Sequence, residues 1–271
     1  MFIIDDTKKE MLKSLVRNGQ NILVTGATGS GKTTFCIEVA KELDMDSTVI
    51  NCGSTQDARS ALLGYFTLED GNTVWTDSDF IKAIQKPNTL IVLDELSRAS
   101  DDAYNIIFPL LDFRKSITIE EKDGSSRSVD IADGVRFVAT ANVGLEYSAT
   151  RSIDRALQDR FVIFNLEYLK GKELRKYIAH AFDSDTAKAC KGLISLYDYS
   201  HQLFDNAKIT TKLSPRSILQ SVCLVGQYKD SEILDNVILS IFQQDSSNIL
   251  NDANILREYA DSLGIYDSSD E

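Results

Sequence analysis

Few of the residues that mark disordered, disulfide-bonded or zinc-stabilised proteins occur in this 271-residue sequence. It has only 3 prolines and 2 histidines, and none of its 4 cysteines are close enough in sequence to form a CxxC pair. These low counts argue against a zinc site and against extensive disorder outside the tail at residues 267–271. We therefore expect reduced, buried thiols at all four cysteines, namely Cys36, Cys52, Cys190 and Cys223.

Long apolar runs and clusters of basic residues are also missing. No segment approaches the length that spans a membrane, and the opening residues lack the basic and apolar regions of a secretory signal. We therefore expect a cytoplasmic protein without membrane insertion. The 29 Lys and Arg residues are outnumbered by 41 Asp and Glu residues, and the resulting net charge of −12 disfavours nucleic acid as a partner.

The sequence does contain short apolar runs that alternate with helical stretches. Five runs have the character of strands, at residues 21–26, 47–52, 88–95, 134–142 and 160–166. The runs at 88–95 and 134–142 are apolar without alternation, which is typical of strands covered on both faces. This order of strands and helices predicts an α/β fold, in which a parallel five-stranded sheet lies between layers of helices.

Two regions depart from this order. Residues 116–131 form two short runs around Asp123-Gly124, which predicts a β-hairpin just before the strand that ends at Asn142. After residue 168 the pattern is helical, at about residues 171–182, 186–205, 215–228, 231–243 and 252–263. We therefore predict an αβα domain over residues 1–168 and an all-helical domain with a short acidic tail over residues 169–271.

The segment GATGSGKTT follows the first strand and opens a helix. It matches the pattern G-x-x-x-x-G-K-[ST], in which glycines let backbone N–H groups surround phosphates and the helix N-terminus attracts the anion. We expect Lys32 to reach the β- and γ-phosphates and the Thr33 hydroxyl to bind Mg²⁺. A mere glycine-rich turn is disfavoured by the strand before it and the helix after it. The predicted phosphate-binding residues are Gly26, Ala27, Thr28, Gly29, Ser30, Gly31, Lys32, Thr33 and Thr34.

Two further strands end in polar residues. We expect Asp94 to bind the Mg²⁺ that accompanies the nucleotide, and Glu95 to act as general base toward the attacking water. The second acid favours hydrolysis of ATP over binding alone. Asn142 ends another buried strand, where it can contact the γ-phosphate or the water. The alternatives are a solvated strand terminus for the two acids and a turn role for Asn142.

These motifs together resemble those of the AAA+ ATPases. GATGSGKT and LIVLDE resemble Walker A and Walker B, ATAN resembles sensor 1, and LSPRS resembles the start of the sensor 2 helix. The resemblance covers about residues 5–245 and implies a P-loop NTPase domain followed by a small helical lid, with ATP and Mg²⁺ as cofactors. It also implies that Arg216 acts in cis from the lid and couples nucleotide state to domain rotation.

Within the AAA+ ATPases, the sequence is most similar to the MoxR/CbbQ/NorQ branch, which is related to cobalt chelatase ATPase subunits, midasin and the McrB restriction GTPase. DELSRASDDAYNIIFPLLD resembles the Walker B segment of that branch. A helix 2 insert is then expected at about residues 62–80, and the 116–131 hairpin corresponds to the pre-sensor 1 hairpin. We expect the insert aromatics Tyr65, Phe66 and Trp75 either to contact a client or to form the insert's own small core.

The segment DRALQDRF resembles the part of AAA+ ATPases that carries the arginine finger. Arg160, before Phe161, matches best, Arg155 is the second candidate and Arg151 the third. The alternative for this cluster is an exposed charged surface. A finger acts on the γ-phosphate of a neighbouring subunit, so the resemblance implies a homo-oligomer, most simply a hexameric ring.

The resemblance implies an ATP-driven ring that remodels or activates a protein client, or that takes part in metal insertion, with a von Willebrand factor A-type protein as a candidate partner. One alternative is an McrB-like or other nucleic-acid-associated motor subunit, which the net charge of −12 disfavours. A second is a non-hydrolysing nucleotide switch or scaffold. Such a scaffold would need neither Glu95 nor Asn142 nor the arginines.

Overall fold

The computed structural model describes residues 6–53, 57–120, 126–142, 159–243 and 249–265 of the chain. The chain divides into two compact units. One comprises Asp5–Ala27 and Gly31–Leu166, and the other contains Thr28–Ser30 and the helices that follow Leu166.

The first unit contains all the strands of the described residues. Its elements are α1 (Asp6–Arg17), β1 (Ile22–Gly26), α2 (Lys32–Glu42), β2 (Asp46–Asn51), α3 (Ala58–Leu62), β3 (Gly64–Glu69), β4 (Asn72–Asp77), α4 (Asp79–Ile84), β5 (Thr89–Asp94), a short 3₁₀ helix (Leu96–Arg98), α5 (Asp101–Leu111), β6 (Ser116–Glu120), β7 (Ser126–Asp130), β8 (Arg136–Asn142) and β9 (Val162–Asn165).

Five of these strands form one parallel sheet in the order β2-β5-β8-β1-β9. Each of the five predicted strands is found within two residues of its predicted ends. The central strands β1, β5 and β8 are buried almost throughout, as expected for strands that helices cover on both faces. The predicted α/β P-loop NTPase fold is therefore confirmed.

The strand order determines where the polar strand ends meet. In a parallel sheet all carboxyl ends lie at one edge, and β5, β8 and β1 are consecutive neighbours. Asp94, Asn142 and Gly26 end these three strands. The predicted acids, the predicted sensor and the start of the phosphate loop are thus brought to one edge of the sheet.

Two hairpins lie outside the main sheet. The antiparallel pairing of β6 with β7 confirms the hairpin predicted at residues 116–131, although its Asp123-Gly124 turn lies outside the described residues. The second hairpin pairs β3 with β4 within the predicted insert. Its turn residues Asp70 and Gly71 both have positive φ, at 49° and 81°, as a tight two-residue hairpin turn requires.

The second unit is helical in its described residues. Its elements are α6 (Gly171–Ala181), α7 (Ser184–Ala189), α8 (Lys191–Asp205), α9 (Pro215–Val222), α10 (Asp230–Ile233), a π-helical turn (Leu234–Ile238), a 3₁₀ segment (Leu239–Gln243) and α11 (Ile249–Ser262). No helix among the described residues is long and apolar enough to cross a membrane.

Three helix predictions in this unit were wrong in their extent. The helix predicted at 186–205 is two helices, because the Asp183 carboxylate caps a separate short helix that ends before Cys190. The helix predicted at 215–228 ends at Val222, ahead of Gly226, whose φ is 81°. The helix predicted at 231–243 changes from α to π to 3₁₀ along its length.

The cysteine prediction is confirmed at three positions. Cys36, Cys52 and Cys190 are buried. Cys223 is exposed, so the prediction of a buried thiol was wrong there. It is the C-cap residue of α9, where the chain leaves the packed face of the helix.

Candidate nucleotide-binding site

The loop between β1 and α2 has the geometry of a phosphate-binding loop. Gly31 is the N-cap of α2 and has a φ of 84°, a left-handed conformation that glycine adopts without strain. The first turn of α2 contains no acidic residue, so no side chain of the helix itself offsets its positive end. Ser30 Oγ in this loop is buried without a hydrogen-bond partner among the described residues. A donor and acceptor in that state suits a phosphate ligand.

Lys32 is held at the edge of the sheet by oxygen acceptors. Its side chain is buried, with 7% of the residue exposed. Nζ donates to the carbonyl oxygens of Gly26 at 3.1 Å and Ala27 at 2.8 Å, and to Oδ1 of Asn142 at 2.7 Å. The structure therefore brings together the predicted phosphate lysine and the predicted sensor asparagine.

The two predicted Mg²⁺ ligands are in direct contact. The Thr33 hydroxyl donates to Asp94 Oδ1 at 2.6 Å. A hydroxyl and a carboxylate are hard oxygen ligands, which are the type that Mg²⁺ prefers, so this pair fits the ion. Burial and the Asp94 carboxylate raise the pKa of the nearby Cys52 thiol to about 12, so this thiol remains neutral beside the acids.

Thr140 joins the two acids, and sequence reasoning missed it. Its hydroxyl donates to Asp94 Oδ1 at 2.6 Å and accepts the backbone N–H of Glu95 at 3.0 Å. The residue is buried in β8, with 1% exposed. A usable signal was present in ATAN, because residues two apart on a strand share a face, and Asn142 was already assigned to the site.

Glu95 is the first residue after β5 and is partly exposed. Its backbone is left-handed, with φ 53° and ψ 39°. Its Oε2 accepts a hydrogen bond from Nη1 of Arg98 at 3.1 Å. Arg98 was also missed by the sequence analysis, although its position three residues after Glu95 on a turn makes such a contact geometrically ordinary.

The candidate finger Arg160 lies near the start of β1, at the opposite end of this strand from the phosphate loop. Asn21, which directly precedes β1, donates to the carbonyl oxygen of Arg160 at 3.3 Å. The Arg160 guanidinium lies over the Phe108 ring, 4.8 Å from its centroid. It also helps to lower the pKa of Asp112, whose main cause is the hydrogen bond from Arg114.

The other predicted arginines do not lie in the described residues of the first unit. Arg151 and Arg155 lie outside the described residues. Arg216 is exposed in the first turn of α9 in the second unit, after the N-cap Ser214 and Pro215. Thr28, Gly29 and Ser30 are grouped with that second unit.

The insert aromatics fall into two groups. Trp75 packs against the hydrophobic core of the first unit, and its indole N–H donates to Asp77 at 2.8 Å. Phe66 contacts the Trp75 ring edge-on, with 5.0 Å between centroids, yet remains 45% exposed. Tyr65 and Leu68 are also exposed.

Comparison with known proteins shows the family to which this chain belongs. The family model "AAA domain (dynein-related subfamily)" matches residues 21–161, that is 141 of the 271 residues. An uncharacterized protein of Staphylococcus saprophyticus is 32% identical over 179 residues, and one of Staphylococcus epidermidis is 30% identical over the same length. Both matches cover 64% of this chain and 65% of the relative, so the chain spans just under two thirds of these relatives.

A solved structure shares the fold. The crystal structure of NtrX from Brucella abortus matches with a TM-score of 0.57 and 13% identity, over 89% of this chain and 55% of that chain. At this identity the likeness concerns the fold alone. The family match covers the phosphate loop, the acid pair and the asparagine strand, which are the parts of the chain that form the site. The chain therefore belongs to the AAA domain family, dynein-related subfamily.

Proposed function

We propose that this chain is a Mg²⁺-dependent ATPase of the MoxR/CbbQ type, which assembles into a ring and remodels or activates a protein client. One observation carries the proposal. At one sheet edge Lys32 is hydrogen-bonded to Asn142 and Thr33 is hydrogen-bonded to Asp94, and Glu95 directly follows Asp94. This set combines phosphate binding, metal binding and a general base, whereas a pure nucleotide switch needs no base.

In this proposal the residues of the site have distinct roles. Lys32 and the loop N–H groups bind the β- and γ-phosphates, while Thr33 and Asp94 hold Mg²⁺. The ion would neutralise charge that builds up on the phosphate oxygens. Glu95 accepts a proton from the attacking water as the new O–P bond forms and the bond to the ADP oxygen breaks. Asn142 contacts the γ-phosphate or that water.

The position of Arg160 supports a shared site. Arg160 lies near the start of β1, and the phosphate loop begins at its end. Five residues of strand separate these ends by roughly 16 Å. Arg160 of one chain is therefore remote from its own loop, and it would act on the loop of a neighbour. Arg155 and Arg151 remain alternatives for this finger, and Arg216 would act in cis from the helical lid.

The client-binding part of the proposal depends on the exposed insert. We place the client, or a von Willebrand factor A-type partner, against the β3–β4 hairpin, where Tyr65, Phe66 and Leu68 are exposed. The contacts of Trp75 favour a structural role for that ring. A nucleic-acid motor is the competing function, and stimulation of ATP hydrolysis by DNA would favour it.

The decisive experiment compares the wild type with Lys32→Ala and Glu95→Gln. We expect Mg²⁺-dependent ATP hydrolysis in the wild type and its loss in both variants, with ATP binding kept in Glu95→Gln. Full hydrolysis in either variant would contradict the proposal. The Glu95→Gln protein would also be used to co-purify the client in the ATP-bound state, with Lys32→Ala as the control that does not bind ATP.

A further inference from the structure

The middle of the phosphate loop is bound by a tyrosine that is distant in sequence. The hydroxyl of Tyr168 donates a hydrogen bond to the carbonyl oxygen of Thr28 at 2.6 Å, across a sequence separation of 140 residues. Both residues belong to the second unit, since Thr28–Ser30 are grouped with the chain from Glu167 onward. The contact is therefore tertiary, and Tyr168 lies outside the motif that identified the loop.

Two side chains fix the direction of the Tyr168 ring. Lys212 Nζ lies over this ring, 5.4 Å from its centroid, and also lies 4.5 Å from the centroid of the Phe204 ring. The rings of His201 and Tyr168 meet edge to face, with 5.2 Å between their centroids. A cation over a ring face and an edge-to-face aromatic contact each favour a defined ring orientation. The Tyr168 hydroxyl is therefore aimed at Thr28 by side chains of the second unit.

Gly29, the next residue of the loop, packs closely against the start of α9. Its φ of 78° lies in the left-handed region, which glycine adopts without strain. A Cβ on Gly29 would lie 3.2 Å from Cβ and Oγ of Ser214 and 3.4 Å from Cβ of Arg216. The shorter of these distances are tighter than ordinary contacts, so a side chain here would push the loop away. The peptide that joins Thr28 to Gly29 is thus held at both of its residues.

A fixed carbonyl group also fixes the N–H group of the same peptide. The peptide is planar and trans, so the Gly29 N–H points in the opposite direction from the Thr28 carbonyl, away from Tyr168. This N–H donates no hydrogen bond within the part of the chain that the structure describes. An N–H group in that state on a phosphate-binding loop suits a phosphate oxygen.

We propose that Tyr168 is a positioning residue for nucleotide binding, which holds the Thr28–Gly29 peptide so that the Gly29 N–H faces the diphosphate of the bound nucleotide. Tyr168 acts through this peptide, because its hydroxyl is engaged by the Thr28 carbonyl. This inference rests on the proposed function, since it requires that the loop binds ATP. It adds a residue from outside the phosphate loop to the groups that determine how tightly the phosphates bind.

The test compares dissociation constants for ADP and AMP in the wild type and in Tyr168→Phe. The substitution keeps the ring with its contacts to Lys212 and His201 and removes only a hydroxyl at the surface, so the variant should fold normally. We expect Kd for ADP to rise about two- to tenfold, which is the effect of one intramolecular hydrogen bond. Kd for AMP should change less, because AMP lacks the second phosphate that the loop N–H groups surround.

Steady-state kinetics give an independent measurement of the same effect. KM for ATP should rise in Tyr168→Phe by about the same factor as Kd for ADP. The value of kcat should stay close to that of the wild type, because the hydroxyl contacts neither Asp94 nor Glu95. Tyr228→Phe removes the hydroxyl of another tyrosine of the second unit, which is 57% exposed, and should change neither constant.

A second variant tests whether the direction of the ring matters. Lys212→Gln removes the cation over the ring but leaves the hydroxyl in place. It should raise Kd for ADP by less than Tyr168→Phe does. Combined with Tyr168→Phe it should cause no further rise, because the direction of the ring has no effect on Thr28 once the hydroxyl is gone. Additive effects would contradict the aiming of the hydroxyl by Lys212.

The outcomes separate this inference from the proposed function. If the wild type neither hydrolyses ATP nor binds ADP, the proposed function is wrong. If it does both, and Tyr168→Phe binds ADP as tightly as the wild type, the positioning inference is overturned. A rise by the same factor for ADP and AMP would also overturn it, because the hydroxyl would then support the nucleotide site as a whole and not the contact with the diphosphate.

Discussion

A single hydroxyl group connects the two neighbouring acids of the candidate site, Asp94 and Glu95. Thr140 donates to Asp94 and accepts from the backbone of Glu95, and it is buried. Both partners depend on one oxygen, so the orientation of the acid pair is set from a different strand. A small residue inside β8 thereby positions the Asp94 side chain at the end of β5 and the backbone of Glu95 that follows it.

We predict that Thr140→Val destabilises the protein by about 1–3 kcal/mol, because the partly buried N–H of Glu95 loses its acceptor and Oδ1 of Asp94 keeps only the hydrogen bond from Thr33. It should also raise the Mg²⁺ concentration needed for half-maximal ATP hydrolysis, since Asp94 loses its orientation. Thr140→Ser keeps the hydroxyl and serves as the control. Urea unfolding and Mg²⁺ titration measure the two effects, and a Val variant that behaves like the Ser variant would refute the role.

At the residue scale, the sequence motifs predicted which residues form the site but did not predict all of the hydrogen bonds that connect them. Lys32, Thr33, Asp94 and Asn142 were all predicted, and hydrogen bonds join Lys32 to Asn142 and Thr33 to Asp94 in the structure. Their roles toward nucleotide and Mg²⁺ remain predictions. Thr140 and the partner of Glu95 were not predicted, because hydrogen bonds between strands depend on register, and register follows from the packing of the whole sheet.

At the scale of elements, the β3–β4 hairpin has one side chain that anchors it and others that are exposed. Trp75 packs on the core of the first unit and donates to Asp77, which also forms an ion pair with Arg127 on β7. The two hairpins are therefore connected through one carboxylate. Leu68, near the turn of the insert, is 76% exposed.

We predict that two substitutions in this hairpin affect different properties, namely stability and stimulation by the client. Trp75→Ala should lower the free energy of unfolding by about 1–3 kcal/mol, because it removes packed aromatic surface. Leu68→Ser should change it by less than about 0.5 kcal/mol but reduce stimulation of hydrolysis by the co-purified client. Urea unfolding and client-stimulated ATPase assays distinguish them. Full stimulation in Leu68→Ser would exclude that side chain from the client surface.

Helix α8 contains a partly buried histidine. His201 Nε2 lies 2.9 Å from the carbonyl oxygen of Leu213, and its ring contacts Tyr197. Burial lowers the pKa of His201, with Lys212 acting in the same direction, although the Leu213 carbonyl and nearby carboxylates partly offset this. The folded protein therefore favours the neutral ring.

This shift predicts a loss of stability in acid. The unfolded chain takes up the proton near the ordinary histidine pKa of about 6.5, while the folded protein takes it up only at lower pH. The contribution of neutral His201 to the free energy of unfolding is thus complete above a pH of about 6.5, and it is lost as the pH falls from there toward the lower pKa of the folded protein. His201→Gln should show a smaller fall in unfolding free energy between pH 7 and pH 5. An identical fall in both proteins would contradict the prediction.

The ends of the strands were predicted more accurately than the ends of the helices in the second unit. The strands were found close to their predicted ends because buried parallel strands have continuous apolar runs that end in turn residues. The helices of the second unit were less accurate, since helix ends there depend on caps such as Asp183 and on the π and 3₁₀ turns after Ile233. Periodicity detects the apolar face of a helix but not where its hydrogen bonding changes.

At the scale of the whole molecule, the phosphate loop and Arg160 lie at opposite ends of β1. Under the proposed function, two inactive variants should complement each other. Lys32→Ala cannot bind the phosphates but retains Arg160, whereas Arg160→Ala retains an intact loop. We predict that each variant alone has little activity and that mixed assemblies recover a fraction of the wild-type rate.

The mixing experiment needs a structural control, because Arg160 also lies over Phe108. Unfolding of Arg160→Ala shows whether loss of that contact destabilises the subunit. A mixture of Lys32→Ala with Glu95→Gln should stay inactive, since neither variant has a competent loop and base together. If the mixture of Lys32→Ala and Arg160→Ala also stays inactive while both variants fold and assemble, Arg160 is not the finger.

Under the proposed function, in which Arg160 of one subunit acts on the phosphate loop of the next, the separation of the loop from Arg160 has a consequence for assembly geometry. When each subunit offers its loop at one end and its arginine at the other, subunits stack head to tail. An open stack of any length always has one loop at its terminus that no arginine reaches. Closing the stack into a ring completes that last site, so turnover per subunit would report closure and not merely association.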